Sequence, residues 1–270
     1  MNLKDKIVVI TGASSGIGKA LALEFAARGA NLVLAARQYV TLCEISQNIE
    51  KEYGIKCVAV QCDVSHEQDC EYLIKQAIVT YGRVDVLVNN AGISMRALFK
   101  DAELNVLHSL MDVNFWGTVN CTKYAMPALL ASKGTIVGVS SIAGYKGLPG
   151  RTGYSASKFA MNGFLDALRV ENLKTGVHVM TACPGFTASN IRNTALNKSG
   201  VQQGESSLDE QKMMSSEEVA KRIADGVVNQ SRTLVMTTQG KLTVFLSKFL
   251  PGLLDKLVYN KFAKEKNPLF

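Results

Sequence analysis

Apolar positions along this chain follow two alternating patterns. Short runs rich in β-branched residues recur at Ile7–Thr11, Leu32–Ala36, Val58–Gln61, Val84–Val88, Thr135–Ser140, Val177–Ala182 and Leu234–Thr237. Between them, apolar residues fall at helical spacing over about 17–28, 41–53, 67–80, 103–131, 154–174 and 216–229. The first pattern predicts strands and the second predicts amphipathic helices. Strand–helix alternation along a whole chain implies a parallel sheet covered on both faces. With right-handed crossovers this becomes a doubly wound α/β fold: seven strands in three layers, α/β/α.

Two segments break the rhythm. Asn190–Met214 is rich in Asn, Ser, Gln and Gly and lacks clear periodicity. A loop of that length is commonly functional, and its position directly after a strand suits a substrate lid at about 190–214. It ends at Ser215, which with Glu218 has the spacing of a capping box. The C-terminal segment at about 241–262 carries Phe245, Leu246, Phe249, Leu250, Leu253, Leu254, Leu257 and Val258 among Lys241, Lys248, Lys256 and Lys261. Three readings fit that basic amphipathic pattern: packing on the domain or on a second subunit, covering the substrate pocket, or lying on a membrane surface. Packing is the default.

At 270 residues, with 47% hydrophobic and 20% charged residues, the chain fits one domain spanning 1–270. The formal net charge is +7, yet Lys and Arg are scattered without basic runs, which argues against nucleic acid as a partner. A positive field also suits a ligand carrying several phosphates. Cys43, Cys57, Cys62, Cys70, Cys121 and Cys183 show no metal-ligand spacing, and the three histidines are far apart, so no metal site is expected. The cysteines read as reduced thiols of a cytoplasmic protein. The first apolar run, Ile7–Ile10, leads straight into a glycine turn and reads as a strand rather than a targeting segment.

That turn is Thr11-Gly12-Ala13-Ser14-Ser15-Gly16-Ile17-Gly18, between the first strand and the first helix. Glycines let the backbone approach phosphate oxygens, and a helix N-terminus offers free N–H groups to them. Dinucleotide sites that prefer NAD place a carboxylate at the end of the second strand. Here that strand ends Ala35-Ala36-Arg37, and an arginine fork there suits a 2′-phosphate. NADP(H) is therefore expected in preference to NAD(H), although Arg37 also reads as an ordinary surface residue. Further on, Tyr154 and Lys158 lie four residues apart and share one helix face. An ammonium near a phenol favours the phenolate, so the pair suits proton exchange with an alcohol or carbonyl oxygen.

In combination, the glycine turn, Asn89-Asn90-Ala91-Gly92, Ser141, Tyr154-x3-Lys158 and Asn114 resemble the short-chain dehydrogenase/reductase family over nearly the whole chain. Thr11–Ser14, Ala35–Arg37, Ser140–Gly144 and Leu250–Leu254 look closest to the branch of 11-beta-hydroxysteroid dehydrogenase type 1 and related reductases of apolar carbonyls. The resemblance implies a Rossmann fold and a catalytic set of Asn114, Ser141, Tyr154 and Lys158. It implies hydride transfer between nicotinamide and a carbonyl or secondary alcohol. Tyr154 would pass the proton, Lys158 would lower its pKa and hold the ribose, Ser141 would bind the reacting oxygen, and Asn114 would hold a relay water. The cofactor would lie along Gly12, Ser14, Ser15, Gly16, Ile17, Gly18, Arg37, Asp63, Val64, Asn90, Ala91, Gly92, Pro184, Gly185, Thr187 and Ser189.

Two departures from the family pattern stand out. Many NADP(H)-dependent relatives carry a basic residue where this chain has Ser15, and a common threonine is replaced by Ser189. Candidate substrate contacts come from Ser94-Met95-Arg96, Tyr145-Lys146-Gly147-Leu148 and the lid, with Met95, Leu148 and Leu196 pointing to an apolar pocket. The family commonly forms dimers or tetramers through the helices at about 103–131 and 154–174, so a homo-oligomer is expected. The alternative outside enzymes is a regulatory protein that binds NADP(H) without turnover. The alternative within them is a nucleotide-sugar epimerase or dehydratase, against which the glycine spacing argues.

Overall fold

The computed structural model describes residues 2–187, 190–204, 213–264 and 268–269. Seven parallel strands form one sheet: β1 (Ile7–Thr11), β2 (Asn31–Ala36), β3 (Cys57–Gln61), β4 (Val86–Asn89), β5 (Thr135–Val139), β6 (His178–Cys183) and β7 (Thr233–Val235). Their order is β3-β2-β1-β4-β5-β6-β7. Every expected strand is present, with some ends moved by a residue or two.

Side chains alternate across the sheet because successive residues of a strand point to opposite faces. Val8 and Ile10 face one core with Leu32, Leu34, Val86 and Val88. Val9 faces the other core with Val33, Leu87 and Ile136. Both faces are therefore apolar, which explains the unbroken hydrophobic runs in the sequence. The first core is closed by α1 (Gly16–Ala27), α2 (Tyr39–Tyr53) and α7 (Ser216–Val228), through Leu21, Phe25, Leu42, Ile45, Val219 and Ile223. The second is closed by α3 (Glu67–Tyr81), α5 (Gly117–Ser132) and α6 (Thr152–Glu171), through Leu73, Cys121, Leu129, Met161 and Leu165. The fold is the expected doubly wound, three-layer Rossmann arrangement.

The helix expected over 103–131 is not uniform. It runs as α4 (Leu104–Met111), then one π turn over Asp112–Trp116, then α5. The Gly117 N–H donates to the Asp112 carbonyl five residues back. At Gly117 an added Cβ would lie 2.7 Å from Val64 Cγ2, so the helix passes against the end of the third βα unit with no room for a side chain. The widened turn buries Asn114 completely. Single π turns are often found where a functional side chain must be re-aimed. Periodicity cannot register one inserted residue in a long helix.

The C-terminal amphipathic segment also divides, into α8 (Thr238–Phe249) and α9 (Pro251–Phe262). Pro251 ends the first helix because it has no N–H, and it opens the second at a position where none is needed. Gly240, Leu254 and Phe262 are buried on the domain, while Phe245, Phe249, Leu250, Leu253 and Leu257 are exposed. Packing on the domain is thus one of the segment's roles. Half of the expected capping box forms: Ser215 Oγ accepts from the Glu218 N–H at 3.1 Å, while Glu218 Oε1 accepts from Arg222 Nε at 2.7 Å. Among the described residues, no helix is long and apolar enough to cross a membrane.

Residues 190–204 of the aperiodic loop are pinned to the segment that follows β4. The Leu196 N–H donates to the Ser94 carbonyl, and the Arg96 N–H donates to the Leu196 carbonyl, each at 2.8 Å. Residues 205–212 of the expected lid lie outside the described residues.

Helix α6 lies tight on the sheet where β5 has a glycine: a Cβ added at Gly138 would sit 2.3 Å from Leu165 Cδ1. Gly138→Ala is expected to lower unfolding stability by about 1–3 kcal/mol in chemical denaturation. Leu165→Val in the same chain is expected to return part of that loss, and simple additivity of the two changes would contradict this packing account.

Candidate active site

Ligands bind in open α/β sheets at the carboxyl ends of the strands, where the strand order reverses. Here the reversal lies between β1 and β4. The ends of these strands are tied together by side chains. Thr11 Oγ1 accepts from the Asn90 and Ala91 N–H groups, both at 3.0 Å, and Asn90 Nδ2 donates to the Thr11 carbonyl at 2.9 Å and the Gly12 carbonyl at 3.2 Å. Beyond the tie opens a cleft of about 740 Å³.

One end of the cleft is the glycine turn. Gly12 and Gly16 have φ of +66° and +51°, in the left-handed region. A Cβ at Gly18 would lie 2.1 Å from the Gly12 carbonyl oxygen, so only glycine permits this turn. Gly12, Ser14, Ser15, Gly16, Ile17 and Gly18 all line the cleft. A bare backbone cradle leading into the N-terminus of α1 fits a pyrophosphate.

Arg37, Asp63 and Val64 line the same end, together with Gln38 and Ser65, which the sequence reading did not single out. Ser14 Oγ donates to Gln38 Oε1 at 2.8 Å. Arg37 is open to solvent, with a loose 3.9 Å ion pair to Asp63. Burial raises the Asp63 carboxyl, but hydrogen bonds from Ser65 and the charges of Arg37 and His66 outweigh it and hold the carboxyl below its ordinary value. Asp63 is therefore an ionised acceptor at neutral pH. The residues present fit a nicotinamide dinucleotide: a glycine-rich cradle for phosphates, an accessible cation, and an ionised acceptor.

The other end gathers the expected catalytic residues. Asn90, Ala91, Gly92, Ser141, Tyr154, Lys158, Pro184, Gly185 and Thr187 all border the cleft. Ala188 and Ser189 lie outside the described residues. Lys158 is 3% exposed, and its Nζ donates to the Val139 carbonyl at 2.9 Å. Burial lowers the Lys158 ammonium to about 8. Ser141 caps a short 3₁₀ turn, its Oγ accepting from the Ala143 N–H at 3.1 Å, and it is hydrogen-bonded to Tyr154. The expected depression of the Tyr154 phenol by Lys158 is not found in the ligand-free protein. Burial raises that phenol, opposed by the Ser141 hydrogen bond and by the charge of Arg151. Lys158 Nζ sits 5.8 Å from the Tyr154 ring centre, and its hydrogen bond goes to the strand end instead.

Asn114 lies behind this group rather than in it. Its Oδ1 accepts from the Ile93 N–H at 2.8 Å, and its Nδ2 donates to the Ile93 carbonyl at 3.0 Å and to Ser157 Oγ at 2.9 Å. Asn114 thus braces the Gly92–Ile93 strand end against α6. Of the candidate substrate contacts, Ser94, Leu148 and Leu196 line the cleft, with Asn190, Ile191, Arg192 and Thr194 from the aperiodic loop. Met95 does not: it is fully buried in a small core with Val106 and Leu110. Lys146 and Gly147 instead line a hollow shared with α9. Arg151 lines the cleft and was missed, although its place one helical turn before Tyr154 is readable in the sequence.

The profile of the family described as short chain dehydrogenase matches residues 6–200. The protein named 11-beta-hydroxysteroid dehydrogenase 1A from Arabidopsis thaliana is 42% identical over 192 residues, covering 70% of this chain and 54% of that protein. The chain thus spans about half the length of that relative. Dehydrogenase/reductase SDR family member 7B from Danio rerio is 32% identical over 271 residues, covering 98% of this chain and 88% of that protein. Among solved structures, a short chain dehydrogenase/reductase from Burkholderia phymatum in complex with NAD superposes with a TM-score of 0.82 at 24% identity, over 94% of this chain and 96% of that one. An alcohol dehydrogenase from Thermococcus sibiricus complexed with 5-hydroxy-NADP gives 0.77 at 24% identity, over 86% and 96% of the two chains. These structural likenesses speak to the fold, and the profile match over most of the sequence speaks to descent: the chain belongs to the short-chain dehydrogenase family.

Proposed function

We propose that this chain is an NADP(H)-dependent oxidoreductase that interconverts a carbonyl and a secondary alcohol, working chiefly as a reductase of an apolar ketone of steroid, lipid or acyl type. The observation that carries this reading is the grouping of Tyr154, Ser141 and buried Lys158 at one end of a cleft whose other end is a phosphate cradle. A bound nicotinamide supplies or accepts the hydride. Tyr154 donates a proton to the substrate oxygen. Burial keeps that proton on the phenol at neutral pH, which suits a proton donor. Ser141, hydrogen-bonded to Tyr154, is placed to bind the same oxygen and to stabilise charge developing on it. Lys158 holds the ribose, and its charge is felt strongly because water is excluded around it. Asn114 keeps Gly92–Ile93 and α6 in register.

The apolar substrate class is supported by Leu148 and Leu196 in the cleft wall and by relatives named as hydroxysteroid dehydrogenases. Preference for NADP(H) is supported by Arg37, a solvent-accessible fork beside the adenosine end without a competing carboxylate on β2. A regulatory protein without turnover would have little use for a lysine buried at such cost.

Tyr154→Phe is expected to abolish oxidation of NADPH against a panel of ketones from small acyl compounds to steroids and long-chain lipids, while fluorescence titration shows NADPH still bound. Substantial residual turnover in that variant would remove Tyr154 from its role. Arg37→Gln is expected to weaken NADPH binding by roughly tenfold or more, the scale of one charged hydrogen bond, and to leave NADH binding nearly unchanged. Equal losses for both cofactors would contradict the 2′-phosphate assignment.

Burial lowers the Lys158 ammonium from its ordinary value of 10.5, which the unfolded chain regains, to about 8. Between those values the unfolded chain binds more protons, so ligand-free stability rises with pH across that window, and the full cost of burying the charge is present below it. Lys158→Met is therefore expected to be inactive yet to melt higher than the parent at neutral pH. The gain is on the order of 3 kcal/mol and shrinks above pH 8. Thermal scans of both proteins over that pH range check it, and a gain that grows with pH would have the wrong sign.

A further inference from the structure

Helix α9 touches both walls of the substrate end of the cleft. On one side Asp255 pairs with Lys146, and the Phe262 ring centre lies 5.0 Å from the guanidinium carbon of Arg151. Beyond the helix, Leu269 packs on the same loop: a Cβ at Gly150 would meet its Cδ1 at 2.3 Å. On the other side, Lys261 Nζ lies 4.3 Å over the ring of Phe186, in the turn after β6. Phe262 is 5% exposed, so its ring is inserted rather than laid on the surface.

Arg151 is the charge that this arrangement seats. It occupies the N-cap of α6, three residues before Tyr154, and lines the cleft although it is only 8% exposed. Its backbone is fixed on both sides: its N–H donates to the Leu148 carbonyl at 3.1 Å, and its carbonyl accepts from the Ser155 N–H at 2.8 Å. A guanidinium against an aromatic face keeps a defined position. An arginine also stays charged when buried, so it is a permanent cation where water is scarce.

We propose that Arg151 is a positioning residue of the reaction, a fixed positive charge that stabilises the phenolate left when Tyr154 gives its proton to the substrate oxygen, and that Phe262 holds it there, which makes α9 part of the active site. The inference rests on the reading of Tyr154 as the acid. In the reducing direction the hydride adds to the carbonyl carbon, the proton leaves Tyr154 Oη for the carbonyl oxygen, and the negative charge remains on the phenol, in the cleft that Arg151 also lines three residues before it. The groups that act on the Tyr154 phenol are Ser141 after β5 by a hydrogen bond, and Cys183 at the end of β6 and Arg151 at the N-cap of α6 by charge, while Lys158 Nζ lies 5.8 Å from its ring centre. Burial raises the phenol, and the charge of Arg151 opposes that rise.

The test is a spectrophotometric tyrosinate titration of the full chain with NADP⁺ added, taken as the difference from Tyr154→Phe under the same conditions. That difference isolates one phenol. Arg151→Gln is expected to move its midpoint upward by about one pH unit, the scale of losing a neighbouring opposite charge. Phe262→Leu, which leaves the guanidinium in the chain but unseats it, is expected to move the midpoint upward by less. Arg151→Lys is expected to recover part of the Arg151→Gln shift. Circular dichroism monitors folding, and should Arg151→Gln not fold, Phe262→Leu decides alone. A midpoint that does not rise in the folded variants overturns the proposal. The readout does not depend on turnover, so its failure is distinct from retention of activity by Tyr154→Phe, which would overturn the enzymatic reading itself.

Discussion

The tie between the ends of β1 and β4 is the constraint on which the rest of the site depends. The chain winds outward from β1 to β3, then crosses back to β4, so the two strand ends diverge there and leave a crevice. Thr11 and Asn90 close the base of that crevice with four side-chain hydrogen bonds. These bonds satisfy backbone groups that the strand ladder can no longer reach. They also set the height at which the glycine turn leaves the sheet. Gly12 passes so close that a Cβ would lie 2.8 Å from Ala91 Cα, and Asn90 Nδ2 reaches under both Gly12 and Gly18. The phosphate cradle is therefore built jointly by the first and fourth strands.

The opposite end of the cleft is organised around an electrostatic cost. A lysine at 3% exposure loses most of its hydration, and one hydrogen bond to the Val139 carbonyl offsets only part of that. Tyr154 is pushed the other way by the same dry surroundings, which favour the neutral phenol. The two groups thus move apart in proton affinity, the phenol raised and the ammonium lowered to about 8. Such a pair is poorly suited to stabilising a fold, but it leaves the proton on the phenol, where a donor needs it. The same helix packs closely on the sheet, where a Cβ added at Gly138 would lie 2.3 Å from Leu165 Cδ1.

The C-terminal helices link the outer surface to that chemistry. α9 presents Leu253 and Leu257 to solvent while Leu254 and Phe262 face inward, and its ends of contact reach Lys146, Arg151 and Phe186. The helix thus packs on the domain through Arg151 and Phe186, two residues that themselves line the cleft.

Much of this was determined by the sequence alone. Parallel strands buried on both faces leave continuous apolar runs, and helices between them leave a 3.6-residue period, so the fold class and the strand count follow from local pattern. The glycine turn and the Tyr154–Lys158 pair were legible as short motifs with their own local physics, and Ser141 through its place in the resemblance to the family. What lay beyond reach was anything set by contact between distant segments. The π turn at Asn114 runs into Gly117, which passes Val64, more than fifty positions earlier, with no room for a side chain. Met95 reads as a pocket residue but is buried behind it, because α4 closes over it. The direction in which the Tyr154 phenol shifts depends on how completely it is buried, which no spacing encodes. The seat of Arg151 depends on Phe262, more than a hundred residues away. Periodicity and motif report what a segment does with its neighbours in the chain; burial and charge contacts across the cleft are properties of the packed whole, and only the tertiary structure decided them.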